Sequence, residues 1–157
     1  MSYQFDMKDM NISGMDIIAR DLMHTLLGDV IGQGAFRRVY ECTINPEIVI
    51  KIETDEYYHH NVHENEVWEH VEWTSHAKWF APVINISPCG KVLVQKRTEP
   101  IPKNKLPEKI PNYFTDTKPD NWGLLDGRPV CHDYSINLLM EKGMSNRLVK
   151  AKWLSFT

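Results

Sequence analysis

Residues 114–121 of the chain read Phe-Thr-Asp-Thr-Lys-Pro-Asp-Asn. This segment brings the carboxylate of Asp116, the ammonium of Lys118 and the carboxamide of Asn121 close together along the chain. Directly after it, residues 122–125 and 129–132 flank Asp126-Gly127, a dipeptide that is one of the strongest short-range signals for a β-hairpin. The sequence therefore predicts a loop of polar groups that leads straight into a tight hairpin.

The hairpin has a consequence for two oxygen-bearing side chains. If a two-residue turn centres on Asp126-Gly127, Asn121 pairs opposite His132, and Asp133 is its immediate neighbour. Because paired strands lie about 5 Å apart, Asn121 and Asp133 can converge on one hard cation where the strands end. Such oxygen ligands suit Mg²⁺, with Mn²⁺ as the alternative, and we expect His132 to be a packing residue.

A single lysine stands inside an otherwise apolar predicted strand, Ile48–Glu53. Lysine is rarely buried without a partner, so Lys51 requires an acidic neighbour or an anionic ligand. The predicted helix that follows offers Glu64, Glu66 and Glu69. We favour Glu64, because Trp68 lies four residues later on the same helical face, with Glu66 in reserve. The alternative is an exposed acidic face beside an ordinary strand lysine.

Two glycines, Gly32 and Gly34, lie between two predicted strands in the segment Ile31–Val39. Glycine lets backbone N–H groups approach phosphate oxygens without obstruction. A Rossmann turn or a Walker A loop would need a helix next, so the strand on each side excludes both. Taken alone, the segment also fits a plain tight hairpin.

The remaining pattern predicts helices from Ser13 to Leu27, from His60 to Glu72 and from Ile136 to Trp153. In the first helix, apolar residues fall on one side, Ser13 or Asp16 could cap the start, and Gly28 sits where a helix commonly ends. The four histidines near the second helix favour a solvated face over a zinc site. The strands are expected at residues 29–33, 37–43, 48–53, 81–86, 91–97, 122–125 and 129–132.

The order of these motifs along the chain resembles that of the protein-kinase family, above all its compact phage and bacterial members. The motifs are the glycine segment, the strand lysine, the helix glutamate, the Asp-x-Lys-Pro-x-Asn loop and the late aspartate. The resemblance implies ATP and Mg²⁺ as cofactors. It implies that Asp116 orients or deprotonates an acceptor hydroxyl, and that Lys118 steadies the transferring phosphoryl group. The implied nucleotide contacts are Ile31, Gly32, Gly34, Val39, Lys51, Lys96 and Thr98, with Glu64 orienting Lys51 and with Asn121 and Asp133 holding the metal.

The chain departs from that family at several positions. Arg37 stands where a third glycine is usual, although an arginine could itself contact phosphate. Phe114-Thr115 replaces His-Arg before the aspartate, and Tyr134-Ser135 replaces Phe-Gly after Asp133. The segments that would build a large helical lobe and an activation segment are missing. A second chain in a homodimer could cover the apolar surface thus left exposed.

The expected fold class is α+β: a kinase-like N-lobe, with an antiparallel five-stranded sheet and one helix, and a reduced C-lobe with the catalytic loop, the hairpin and a terminal helix. The expected divisions are an N-terminal helical extension (1–28), the N-lobe (29–98) and the reduced C-lobe (99–157). The expected function is phosphoryl transfer of the Ser/Thr-kinase type to a hydroxyl of a protein or small molecule. The alternative is a nucleotide-binding or partner-binding regulatory protein without turnover.

Composition limits the other classes of function. Hydrophobic residues make up 42% and charged residues 25%, which is ordinary for a globular protein. A net charge of −3 argues against broad binding to nucleic acid. Apolar runs fall short of the roughly 20 residues that cross a bilayer, and Met1–Met10 does not read as a secretory signal. A cytoplasmic protein is the resulting expectation.

Overall fold

The branched apolar runs in the first half of the chain form an antiparallel sheet. The computed structural model describes residues 12–54 and 56–155, without the side chains of residues 12–15. The sheet has the strand order β1-β2-β3-β5-β4, with every neighbouring pair antiparallel. The prediction of an α+β protein with a five-stranded antiparallel sheet is confirmed. The strands are β1 (Leu27–Gln33), β2 (Arg37–Cys42), β3 (Ile48–Glu53), β4 (Val83–Ile86) and β5 (Val92–Lys96).

A helix between β3 and β4 covers the sheet. This helix, α2, spans His60–Val71, one residue shorter than predicted. Its buried residues recur at helical spacing and form one stripe, as expected for a helix that packs through one face. They are Asn61, Glu64, Val67 and Val71. Two polar residues in this stripe mean that α2 brings hydrogen-bonding groups, as well as apolar ones, beneath the sheet.

The second half of the chain is built around the predicted hairpin. Strand β6 (Glu99–Pro100) pairs with β8 (Trp122–Leu125), and β8 pairs with β9 (Arg128–Cys131). Asp126 and Gly127 both have positive φ, 51° and 75°, which is the backbone of a type I′ turn. The register continues past the strands, where the His132 N–H donates to the Asn121 carbonyl (2.8 Å). His132 therefore lies opposite Asn121, as the turn predicts.

An aromatic cluster joins the two halves. Phe80, which follows the 3₁₀ turn Ser75–Trp79, packs against Tyr113, Phe114 and Tyr134 with ring centroids 4.9–6.0 Å apart. Phe114 also contacts Trp122 edge-on, at 5.1 Å. These large rings are almost completely buried. Because Phe114 leads into the polar loop and Trp122 leaves it, the cluster fixes both ends of that loop.

The C-terminal tail corrects the predicted helix over 136–153. Only Leu139–Lys142 is α-helical (α3), and Gly143, at φ 71°, ends it. The chain then forms strand β10 (Leu148–Lys150), which pairs with β7 (Lys109–Pro111). This pairing supplies hydrogen-bond partners for the backbone groups of β7, whose Ile110 is buried. The tertiary contact therefore outweighs the helical pattern of the sequence. The expected terminal helix is therefore a single turn followed by a strand.

The first helix, α1 (Ile12–Leu26), agrees with the predicted helix from Ser13 to Leu27, but its packing is not what the amphipathic pattern suggests. Its apolar residues do not form a buried face, since Ile17 is 61% exposed and Leu22 is 55% exposed. Gly28 does not end the helix but lies within β1. The first eleven residues of the predicted N-terminal extension and the side chain of Ser13 lie outside the described residues. Within the described residues, none of the helices is both long and apolar enough to span a bilayer.

Gly123 offers a test of how closely β6 and β8 pack. A Cβ at this position would lie 2.3 Å from Thr98 Oγ1 and 2.8 Å from the Glu99 carbonyl oxygen. Backbone cannot rotate aside, so Gly123→Ala is expected to lower the free energy of unfolding by about 1–3 kcal/mol in urea denaturation. Gly34→Ala is the control, because its Cβ would meet nothing nearer than 3.9 Å. Equal losses in the two variants would contradict this packing.

Candidate active site

A cleft of about 910 Å³ lies where the five-stranded sheet meets the polar loop and the hairpin. The sequence singled out twelve candidate site residues, and all but Glu64 line this cleft. They are Ile31, Gly32, Gly34, Val39, Lys51, Lys96, Thr98, Asp116, Lys118, Asn121 and Asp133. Residues far apart in the chain are thus brought around one space, of a size typical for small-molecule sites.

The glycine segment lines the cleft as the turn between β1 and β2. The Gly34 N–H donates to the Arg37 carbonyl (2.9 Å), which closes the turn. A Cβ at Gly34 would lie no nearer than 3.9 Å to its neighbours, and one at Gly32 would contact Val39 at 3.4 Å. Nothing but backbone therefore faces the cleft at the two glycines, so a ligand can approach this turn closely.

Lys51 connects the sheet to the end of the hairpin. It is 3% exposed, and its Nζ donates to Glu64 Oε1 and to the backbone carbonyl of His132. Glu66 lies exposed on α2, so the carboxylate that meets Lys51 is that of Glu64. The lysine ammonium consequently sits beside the backbone that leads into Asp133.

Glu64 does not line the cleft but lies beneath it, with no exposed surface. Its Oε1 accepts from Lys51 and from Gln95 Nε2 (3.2 Å), and its Oε2 accepts from Arg37 Nη2 (3.0 Å) and from the Tyr134 N–H (3.1 Å). Burial alone would raise the pKa of Glu64, but Arg37 and Lys51 outweigh it and lower this pKa to about 2. The glutamate is therefore a fixed negative charge under the cleft floor.

Arg37 takes a position that the sequence did not reveal. Its side chain turns inward, where Nη1 donates to Asn61 Oδ1 (3.2 Å) and Nη2 donates to Glu64 Oε2 (3.0 Å) and Asp133 Oδ1 (2.6 Å). Burial disfavours its charge, but Glu64 and Asp133 more than compensate and raise the pKa of Arg37. The guanidinium thus ties the start of β2 to α2 and to the residue after the hairpin.

The polar loop is held by the C-terminal residues. Thr117 Oγ1 donates to the Lys152 carbonyl (2.6 Å), and the Leu154 N–H donates to the Thr117 carbonyl (3.1 Å). Asp116 Oδ1 accepts a long hydrogen bond from the Lys118 N–H (3.3 Å). Asp116 is half-buried in the cleft wall, and Lys118 is exposed. The loop therefore presents the carboxylate of Asp116 and the ammonium of Lys118 to the cleft.

Asn121 and Asp133 are the candidate ligands for a divalent cation. Their backbones meet, since the Asp133 N–H donates to the Asn121 carbonyl (3.4 Å). Their side-chain oxygens are of the type that holds Mg²⁺, which commonly takes one or two protein oxygens and completes its shell with phosphates and water. Within residues 12–54 and 56–155, there is no group of three or more His, Cys, Asp or Glu that could hold a metal. Two such oxygens do not complete a metal site by themselves, so a cation here would need further ligands, such as phosphate oxygens and water.

The histidines near the cleft have structural contacts. His132 packs between two segments: its Nδ1 lies 2.7 Å from Thr98 Oγ1 and its Nε2 lies 2.7 Å from the Asp120 carbonyl. Burial, reinforced by Lys51, lowers the pKa of His132, so the neutral ring donates through Nε2 and accepts at Nδ1. Of the four histidines near α2, three are exposed as predicted, namely His59, His63 and His70, whereas His60 stacks on Phe36 at 5.1 Å and is half-buried.

Sequence reasoning missed the positions of several polar groups of the site, among them Asn61, Gln95 and Arg37. Gln95 is completely buried and contacts Glu64; its signal was the alternation of β5, which places it on the same face as the buried Leu93. Arg37 gave no comparable signal, because an arginine beside a glycine turn can point either to solvent or inward.

Comparisons with known proteins do not identify the chain. No protein-family model and no curated protein matches it. Among solved structures, the ternary complex of APH(2'')-IIa with streptomycin and ATP aligns at 15% identity and a TM-score of 0.39. The alignment covers 59% of this chain but only 31% of that protein. A similarity of this extent carries no argument about function, which must rest on the cleft itself.

Proposed function

We propose that this chain binds ATP in the cleft and transfers the γ-phosphate to a hydroxyl group. The observation that carries the proposal is the convergence of the glycine turn, Lys51, Asp116, Lys118 and the Asn121–Asp133 pair on one space. In this arrangement, residues 29–98 form the nucleotide-binding part, and residues 99–157 supply the loop that acts on the acceptor.

The phosphates would lie under the glycine turn. Backbone N–H groups of this turn, other than that of Gly34, which donates to the Arg37 carbonyl, would approach them, and Lys51, held by Glu64, would contact the α- and β-phosphates. The Lys96 N–H already donates to the Pro82 carbonyl (2.9 Å), so the adenine contact that we propose at this edge uses Thr98. Ile31 and Val39 would pack on the base.

The chemical step would use Asp116 and Lys118. The acceptor oxygen attacks the γ-phosphorus while the bond from that phosphorus to the β-phosphate oxygen breaks, and ADP leaves. The hydroxyl proton passes to the Asp116 carboxylate, and the Lys118 ammonium offsets the charge on the transferring group. A Mg²⁺ or Mn²⁺ ion at Asn121 and Asp133 would neutralise charge on the phosphates.

The acceptor that we propose is a serine or threonine hydroxyl of a protein, including this chain itself. Support comes from the Asp-x-Lys order in the loop, with Lys118 two residues after Asp116 and exposed at the cleft. A small-molecule hydroxyl is the competing acceptor.

A second candidate function is nucleotide or partner binding without turnover. The ion pair between Arg37 and Asp133 favours it, because that contact already neutralises one of the two proposed metal ligands. In its nucleotide-binding form, this candidate needs the same cleft and differs from phosphoryl transfer only in whether the phosphate is transferred.

Incubation of the protein with γ-labelled ATP and Mg²⁺ separates these two functions. Phosphoryl transfer predicts label on the chain, on an added protein or in free phosphate, together with a rise in melting temperature with ATP. A rise in melting temperature without any release or transfer of label supports the binding protein. If ATP changes the melting temperature in neither direction and no label is released or transferred, the nucleotide assignment is wrong.

A further inference from the structure

We propose that the Arg37 guanidinium occupies the cation position at Asp133, so that a divalent cation binds there only in exchange for it. The inference rests on the proposed function in one respect, which is the assignment of Asp133 as a metal ligand. It adds a residue that controls when that ligand becomes available.

The contact between Arg37 and Asp133 is short and spans the molecule. Arg37 Nη2 lies 2.6 Å from Asp133 Oδ1, and the two residues are 96 positions apart in the chain. Arg37 is 9% exposed, whereas Asp133 is 47% exposed and opens onto the cleft. Both residues line the cleft, and because Asp133 is the more exposed, a cation arriving from the cleft can reach its carboxylate and compete with the guanidinium for it.

The guanidinium is held in place by groups other than Asp133. Asn61 and Glu64, both completely buried, accept from its two Nη atoms. Giving up Asp133 would therefore leave Arg37 with two of its three polar partners. Exchange is thus a local change in which one ion pair is replaced, without exposure of a buried charge.

The charges around the site explain why exchange is required. Arg37 and Lys51 carry two positive charges among three carboxylates, those of Glu64, Asp133 and the buried Glu53, which also acts on Arg37. A divalent cation added beside an intact Arg37–Asp133 pair would face the guanidinium at close range and meet a carboxylate that is already neutralised. When the cation arrives with a triphosphate, the triphosphate oxygens supply negative charge that offsets the positive charges of the cation and of the displaced guanidinium.

Mn²⁺ titration without nucleotide tests the proposal, with free Mn²⁺ followed by electron paramagnetic resonance. Arg37→Gln is expected to bind Mn²⁺ at least about tenfold more tightly than the wild type, the change that 1.4 kcal/mol produces. Arg38→Gln is the matched control: Arg38 is the next residue of β2, exposed and outside the cleft, so its variant should stay within about twofold.

A second substitution shows where the additional Mn²⁺ affinity of Arg37→Gln arises. Adding Asp133→Asn to Arg37→Gln should remove the gain in Mn²⁺ affinity. A gain that survives this change lies elsewhere and overturns the proposal, as does an Arg37→Gln variant that binds Mn²⁺ no more tightly than the wild type.

Arg37→Lys keeps the inference testable if Arg37→Gln fails to fold. Lysine retains the charge, but a single ammonium cannot reach Asn61, Glu64 and Asp133 together, so Mn²⁺ binding about threefold tighter than in the wild type is expected. Unchanged affinity would overturn the proposal. Because nucleotide is absent throughout, tighter Mn²⁺ binding by a protein that ignores ATP would sustain this inference while the proposed function fails.

Discussion

Replacing Asp116 with asparagine should reduce γ-phosphate transfer by about 10²–10⁴-fold, the usual contribution of a positioned general base. The carboxamide has the same shape as the carboxylate but cannot take the acceptor proton. The loop itself should be undisturbed, because its anchors run through Thr117 to the Lys152 carbonyl and the Leu154 N–H. ATP affinity, measured by calorimetry, is expected to change by less than about threefold, since Asp116 would act on the acceptor.

The matched control is Asp126→Asn, the same chemical change in the hairpin turn. Asp126 is exposed, lies outside the cleft and has φ 51°, a conformation that asparagine tolerates. This variant should retain wild-type transfer. An Asp116→Asn protein that transfers phosphate within about tenfold of the wild type would remove Asp116 from the proposed mechanism.

Replacing Glu64 with glutamine should lower the free energy of unfolding by about 3–5 kcal/mol, the usual cost of breaking a buried ion pair by removing one partner. The change takes the anionic partner from both Lys51 and Arg37, and turns an acceptor oxygen into a donor among groups that already donate. Urea denaturation at pH 7 measures the loss. Glu66→Gln, on the exposed face of α2, should stay within about 0.5 kcal/mol of the wild type.

Lowering the pH should remove the stability that the Glu64 carboxylate contributes, and it should do so over a defined pH range. The pKa of Glu64 is lowered from 4.5 to about 2, so its contribution to stability is fully present above pH 4.5 and declines as pH falls toward 2. The difference between wild type and Glu64→Gln should narrow over the same interval. A difference below about 1 kcal/mol at pH 7 would mean that the buried cluster is not charged as described.

The parts of the fold that sequence could predict have local causes. The Asp126-Gly127 turn needs two residues with positive φ, and this dipeptide supplies them, which fixed the register of β8 and β9. Lys51 in an apolar strand demanded an anionic partner, and helical periodicity pointed to Glu64. Each of these inferences depended on a few neighbouring residues.

The parts that sequence could not predict depend on tertiary context. The sequence of the tail has a helical pattern, but β10 pairs with β7 and supplies hydrogen-bond partners for the β7 backbone. The helical pattern contains no information about this long-range pairing. The apolar residues of α1 suggested a buried face, yet Ile17 and Leu22 are mostly exposed. Arg37 turns inward only because Glu64 and Asp133, distant in sequence, converge on it.

A crystal structure of the protein with a non-hydrolysable ATP analogue and Mg²⁺ tests the central claim most directly. The account predicts the triphosphate beneath the Gly32–Gly34 turn, with Lys51 Nζ within hydrogen-bond distance of an α- or β-phosphate oxygen and the cation at Asp133. An analogue bound outside this cleft, or phosphates that lie away from Lys51, would contradict it.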